Sequence, residues 1–215
     1  MEKSILNQCP LFAGLNKKET EETLQFFHAA ERTYKKGELL NRPGEPVRHF
    51  GLLLSGNIHV SMDDFDGNRL LMANVMPGNT FAESLCYLGR ETQIMIQSVK
   101  DSEVLLMDTE SLKHPPLKPS AADTRIAQRF ISMLAERTLV LNDRIQTLSK
   151  LTIRQKVITL LSQHMSEGSQ VVELPFDREA MAVYLGVNQS ALSRELGRMQ
   201  EEGMIRFRNN KFEIL

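Results

Sequence analysis

The sequence predicts an α+β chain: a small β-roll (a double-stranded jelly-roll), then one long helix, then a winged helix-turn-helix. Three observations predict it. Glycines at 37, 44, 51, 56, 67 and 78 punctuate short alternating segments, almost thirty residues from Ala121 contain neither Gly nor Pro, and two cappable helices flank Gly186. Alternation between turn signals reads as strands, an uninterrupted 3.6-residue period as helix, and a short Gly turn between helices as their crossing.

The roll is preceded by a surface helix within Leu15 to Phe27, where Leu24, Phe26 and Phe27 stand amid Lys17, Lys18, Glu19, Glu21 and Glu22. Within the roll, Ile58, Val60 and Met62 are expected on one strand face, with His59 solvated on the other. Asp66-Gly67 suits a hairpin turn, whose central positions take positive φ. Val104 to Met107 makes the last strand, before the breaker run His114-Pro115-Pro116-Leu117-Lys118-Pro119.

From Ala121 to about Leu148 the apolar spacing is that of a coiled-coil seam. Ile131, Leu134, Thr138, Leu141, Ile145 and Leu148 recur at alternating intervals of three and four, which predicts a dimerisation helix. Ile126, Phe130, Met133 and Val140 form a second apolar edge, expected to face the chain's own roll.

The remainder is mixed. Leu151 to Met165 reads as an amphipathic helix ended by Gly168, and Val171, Val172 and Leu174 as a strand stopped by Pro175. Asp177 can cap a helix to Leu185, Gly186 turns the chain, and Asn188 can cap a second helix through Gln200. Ala182, Leu185, Val187 and Leu192 have the small apolar character that two crossing helices need. The second helix opens with polar Asn188, Gln189, Ser190, Ser193 and Arg194, and the hairpin around Asn209-Asn210 carries Arg206, Arg208 and Lys211. Such a polar face and basic wing suit a DNA groove and its phosphates; the competing reading is a packed helical domain with solvated charges.

Composition narrows the function classes. The 215 residues carry 26 basic and 27 acidic side chains, which excludes a wholly basic nucleic-acid coat. The imbalance is local: residues 1–118 hold 13 basic and 16 acidic groups, the rest 13 and 11. No apolar run approaches a membrane span, and MEKSILNQCPLF lacks the features of a secretion signal, so a cytoplasmic location is expected. Cys9 and Cys86 suffice for neither a disulfide framework nor a zinc site. No P-loop, metal spacing or nucleophile–base pair suggests an enzyme.

The order of these parts resembles the Crp/Fnr superfamily of bacterial transcription regulators over essentially the full length. The stretches that carry the resemblance are CPLFAGL, YKKGELLNRPGE, LLLSGNIHVSMDDFDGNRLLMANVMPGNTFAE, VKDSEVLLMD, the long helix, and YLGVNQSALSRELGRMQEEGMI. The resemblance implies a cyclic-nucleotide-binding-like sensing roll (residues 1–119), a dimerisation helix (120–149) and a DNA-binding domain (150–215). It further implies a homodimer on palindromic double-stranded DNA, RNA polymerase as a partner, and control by a small-molecule effector.

Residue by residue, the resemblance places the effector site at Glu83, Ser84, Thr92 and Gln93, with Leu141 and Asn142 added from the long helix. The cyclic-AMP-binding subclass has Gly-Glu followed by Arg-Ser or Arg-Thr; here Ala82 stands in the glycine position and Thr92-Gln93 in that of the phosphate-pairing pair. A buried phosphate without its guanidinium loses a bidentate, charge-assisted bond, so an effector other than cyclic AMP is expected. Glu83 is either a ligand contact or a structural hydrogen bond to backbone. An iron–sulfur cluster within one subunit needs four thiolates and is excluded. No resident cofactor is expected; the alternatives are haem or redox sensing, with Cys86 as a thiolate ligand instead of a buried inert thiol, or a ligand-binding regulatory module without specific DNA binding. At the DNA end, Ser193-Arg194 matches the base-reading pair and Arg178 a phosphate-contacting position, while Gln189 and Ser190 stand where subclasses vary.

Overall fold

The computed structural model describes residues 3–63, 66, 69–166 and 168–215. They divide into two compact units, Met1–Leu134 and Ala135–Leu215, with the boundary inside the long helix.

The first unit opens with α1 (Lys3–Leu6) and α2 (Lys17–Phe26). Asn16 and Glu19 form a reciprocal capping box at the start of α2, each side chain satisfying the other's backbone N–H at 3.0 Å. Eight strands follow: β1 (Ala30–Tyr34), β2 (Leu39–Asn41), β3 (Phe50–Ser55), β4 (Ile58–Asp63), β5 (Arg69–Val75), β6 (Thr80–Phe81), β7 (Ile94–Ser98) and β8 (Ser102–Met107). Between β6 and β7 lies α3 (Glu83–Leu88), and α4 (Glu110–Lys113) follows β8. The strands form two antiparallel sheets, ordered β1-β8-β3-β6 and β2-β7-β4-β5. This is the expected roll.

Val104, Leu105 and Met107 are buried because both faces of β8 are packed, Leu105 and Met107 in one core cluster and Val104 in another. On β4 the alternation is imperfect. Ile58 is buried, Val60 and Met62 are only half-buried, and Ser61 is buried although the period puts it outside. Strand β4 keeps an unbroken register with β7, and the register shift between Val60 and Ser61 is an extra residue, Met72, on the facing β5. His59 is half-buried and not fully solvated. The turn expected at Asp66-Gly67 lies outside the described residues at Gly67.

The long helix α5 (Ala121–Leu148) starts in this unit, where Ile126, Phe130 and Met133 join the roll core. Phe130 meets Phe27 and Phe50 with ring centroids 5.6 Å apart in both cases. Arg129 donates to the carbonyls of Pro10 (3.1 Å) and Ala13 (2.9 Å), tying the N-terminal segment to the helix.

The second unit comprises the rest of α5, then α6 (Ile153–His164), β9 (Val171–Glu173), α7 (Arg178–Leu185), α8 (Gln189–Glu201), β10 (Ile205–Arg208) and β11 (Lys211–Ile214). Helix α6 ends at His164, before the expected Gly168, which sits in the following loop with φ +78°. The core packs Val157, Leu160 and Leu161 of α6 against Leu185, Leu192, Leu196 and Met199. Buried Thr147 donates to Gln163 Oε1 (2.9 Å), and Gln163 Nε2 donates back to the Asp143 carbonyl (2.9 Å), which locks the end of α5 onto α6.

The second apolar edge of α5 fails at its last member. Val140 is 60% exposed, because it follows the boundary at which α5 leaves the roll. Of the seam, Ile131 (63%), Leu141 (53%), Ile145 (64%) and Leu148 (39%) are exposed, together with Leu139. Leu134 is half-buried and packs against the core of the first unit, and Thr138 is exposed.

Candidate nucleic-acid interface

The helix-turn-helix is set by three local devices. Asp177 Oδ1 accepts the N–H of Ala180 (2.8 Å) at the start of α7. Gly186 ends that helix in the left-handed region, φ 61°. Asn188 Oδ1 then accepts from Ser190 N (2.9 Å) and Ala191 N (3.3 Å), starting α8. Because Leu192, Leu196 and Met199 are fully buried, the opposite face of α8 must point outward. Gln189, Ser190, Ser193 and Arg194 are all exposed on its first two turns. Gly197 continues that face with open space above it.

The wing is a three-stranded antiparallel sheet, β10-β11-β9. Asn209 turns the hairpin at φ 56°, a conformation Asn tolerates better than most residues. Asn210 anchors it: its side chain donates to the Leu174 carbonyl and its own carbonyl accepts from Leu174 N, both at 2.9 Å. Arg206, Arg208 and Lys211 are exposed along the hairpin. Two are held by carboxylates, Arg206 by Glu213 (3.6 Å) and Lys211 by Glu173 (3.3 Å).

Arg178 is placed differently from a solvated phosphate contact. It is half-buried, with its guanidinium over the rings of Phe207 (4.9 Å) and Phe212 (5.7 Å). Burial lowers its pKa, although an arginine stays charged at neutral pH. It therefore joins the start of α7 to the wing by cation–π contact.

Sequence reasoning missed Arg154 of α6, which ion-pairs with Glu195 and Glu202 at 2.6 Å each. The partners lie 41 and 48 residues away, and no local spacing signals such a contact.

The expected effector residues differ in burial. Glu83 is buried in the first turn of α3, Ser84 and Gln93 are exposed, and Thr92 is half-buried. Thr92 is engaged with its own chain: Oγ1 accepts from Ile94 N (3.2 Å) and its carbonyl from Gly44 N (2.8 Å). Ala82 adopts the left-handed backbone, φ 67°, that a glycine would take without a Cβ penalty. Leu141 and Asn142 are exposed on the part of α5 that belongs to the second unit.

The roll contains a cavity of about 440 Å³ that none of these six residues lines. Leu40, Val47, Phe81, Ile96 and Leu106 form its apolar wall, and Asn41, Glu45, Arg48 and His49 supply polar groups. Cys86 is a buried thiol, donating to the Arg48 carbonyl (3.2 Å), and burial raises its pKa. Among the described residues, no three His, Cys, Asp or Glu gather as a metal site, and no helix is long and apolar enough to cross a membrane.

Residues 31–114 match the cyclic nucleotide-binding domain family, and residues 155–215 match the Crp-like helix-turn-helix domain. The two matches occur in the order of the roll and the helix-turn-helix just described. The chain belongs to the Crp/Fnr family. Curated relatives of this Crp/Fnr regulator include the cyclic AMP receptor protein of Thermus thermophilus, 23% identical over 95% of this chain and 92% of that one. Another is the transcriptional activator FnrL of Cereibacter sphaeroides, 22% identical over 86% and 75%. Among solved structures, DNR from Pseudomonas aeruginosa aligns with a TM-score of 0.52 at 22% identity, over 100% of this chain and 94% of that one. CLP from Xanthomonas campestris aligns at 0.55 and 19%, over 93% and 99%. These structural likenesses show the shared fold.

Proposed function

We propose that this Crp/Fnr regulator binds a palindromic promoter site as a homodimer, controlled by a small-molecule effector other than cyclic AMP. The observation that carries the DNA reading is the face of α8: polar Gln189, Ser190, Ser193 and Arg194 exposed above fully buried Leu192 and Leu196. Arg194 is the base-reading residue, since a guanidinium fits O6 and N7 of guanine. Arg178, Arg206, Arg208 and Lys211 serve the phosphates, Arg178 from its perch on the wing. The exposed seam Ile131, Leu141, Ile145 and Leu148 is the dimer contact, and two-fold symmetry then calls for half-sites about 34–36 Å apart.

Two observations favour an effector other than cyclic AMP. Thr92, in the place of a phosphate-pairing arginine, spends its hydroxyl on the backbone, and Gln93 beside it brings no charge. The reading needs no resident cofactor: a buried, protonated Cys86 hydrogen-bonded to a carbonyl lacks the character of a thiolate ligand. It places the protein in the cytoplasm, working with RNA polymerase.

The test is selection of bound sites from randomised duplex by the wild type and by Arg194→Ala. The wild type should select an inverted repeat, and Arg194→Ala should lose about 1–3 kcal/mol on it with relaxed preference at one G·C pair per half-site. Identical preferences from both proteins would remove Arg194 from the reading role. Calorimetry with cyclic AMP at near-physiological salt should show no micromolar binding; a stoichiometric micromolar titration would overturn the effector reading.

A further inference from the structure

We infer that Arg154 is a positioning residue for sequence reading, because its single guanidinium fixes α8 at two points along its length. The inference rests on α8 being the base-reading helix.

Arg154 sits in the first turn of α6, between the two members of the Thr152–Gln155 capping box. Its Nε donates to Glu195 Oε1 at 2.6 Å. Its Nη1 and Nη2 donate to the two carboxylate oxygens of Glu202, at 2.6 and 2.9 Å. Glu195 directly follows Arg194, and Glu202 is the C-cap of α8. The two glutamates are seven residues apart, about two helical turns, so one arginine can reach both. The Glu202 contact is the two-pronged form that only a planar fork makes, and the Nε–H is turned to Glu195.

Apolar burial of Leu192, Leu196 and Met199 keeps α8 on the core, but that attraction has no preferred direction. It decides which side of the helix faces outward, but defines the azimuth only broadly. Directed hydrogen bonds at Glu195 and Glu202 narrow that azimuth. A contacting group must be held within about 0.5 Å of its working geometry. The neighbour of the first clamped residue is Arg194 itself, so its direction is what the clamp sets. Arg198 also approaches Glu195, at 3.9 Å, but its side chain is 70% exposed and gives no comparable restraint.

The experiment uses the full-length protein. Affinity for the site selected by the wild type and for a scrambled duplex is measured at one salt concentration for Arg154→Gln, Arg154→Lys, Glu202→Gln and the double variant Arg154→Gln/Glu202→Gln. Circular dichroism and stoichiometric titration establish the folded, active fraction. Arg154→Gln should weaken the selected site about tenfold and leave the scrambled duplex within about twofold, since loss of aim affects base contacts before phosphate contacts. Lysine should not rescue, because it cannot make the fork, and the double variant should be no worse than Arg154→Gln alone. An unchanged ratio of selected to scrambled affinity in Arg154→Gln would overturn the inference and leave a merely structural ion pair. Should Arg154→Gln fail to fold, Glu195→Gln, which removes one arm only, must show the same loss of ratio. A wild type that selects no site would refute the DNA reading beneath, a result distinct from an unchanged ratio.

Discussion

Gly51 on β3 pairs directly with Phe81 on β6, and the Phe81 ring occupies the space that a side chain at position 51 would need. A Cβ on residue 51 would lie 2.2 Å from the ring Cζ. Glycine is required here by an approach, not by a special φ. Gly51→Ala should destabilise the protein by about 1–3 kcal/mol, the ordinary range for overpacking a filled core. Adding Phe81→Leu should recover part of that loss. Urea unfolding of the three proteins checks it, and a neutral Gly51→Ala would show that the ring can swing aside. Phe81 also lines the roll cavity, so the same substitution should reshape that space.

Replacing Leu141 and Ile145 by Asp should give a folded monomer that no longer binds DNA specifically. Both side chains are more than half exposed in one chain, so the charges cost little until a second copy covers them. Light scattering reads the outcome; a persistent dimer would relocate the interface.

Lys211→Ala should weaken binding to all sequences alike and lower the salt slope by about one, as expected of a single phosphate contact. Release of Glu173 from its ion pair adds a carboxylate near the same surface and acts in the same direction. A loss confined to one sequence would give Lys211 a reading role instead.

Both cysteines should resist alkylation in the native protein at neutral pH and react after unfolding. Cys9 and Cys86 are buried to 1% exposure or less, and burial raises the Cys86 pKa, which reduces the thiolate population. Mass spectrometry after a timed iodoacetamide pulse decides it; rapid native labelling of Cys86 would reopen the haem and redox alternative.

The Glu202 carboxyl is held below its ordinary pKa of 4.5, chiefly by the hydrogen bond from Arg154. A lowered folded-state pKa means stability that is complete above the ordinary value and lost as the pH falls through the lower, folded one. The difference in urea midpoint between wild type and Glu202→Gln should therefore stay constant from neutrality to about pH 4.5 and shrink only below it. A difference that does not shrink at all below pH 4.5 would mean that the pair does not hold the Glu202 pKa down.

What was legible in the sequence was what is encoded locally. Asp177, Gly186 and Asn188 cap and turn within a few residues of themselves, so the helix-turn-helix could be placed almost to the residue. The length of α5 followed from the absence of breakers, and the exposure of Leu141 and Ile145 from their period. Non-local choices were not legible. Exposure of Val140 depends on where α5 leaves the roll core. The cavity among Leu40, Val47, Arg48, His49 and Phe81 gathers residues from separate strands and loops, whereas the resemblance pointed to Glu83, Thr92 and Gln93. The seat of Arg178 on Phe207 and Phe212 was not legible because the two rings come about thirty residues later.

Strand β9 has a consequence for how DNA specificity can be transplanted. In sequence, Arg178 to Leu215 looks like a portable cassette: two helices and a hairpin with their own caps. In space the hairpin borrows its third strand from Val171–Glu173, and its tip is pinned to Leu174. A two-stranded hairpin alone is marginal in water. Grafting the cassette onto another scaffold would therefore leave the wing's edge open and its tip unmoored. Recombination between relatives has a natural crossover point upstream of α6, which shares the core and the Arg154 clamp with α8, and retargeting by design belongs on the exposed strip of α8.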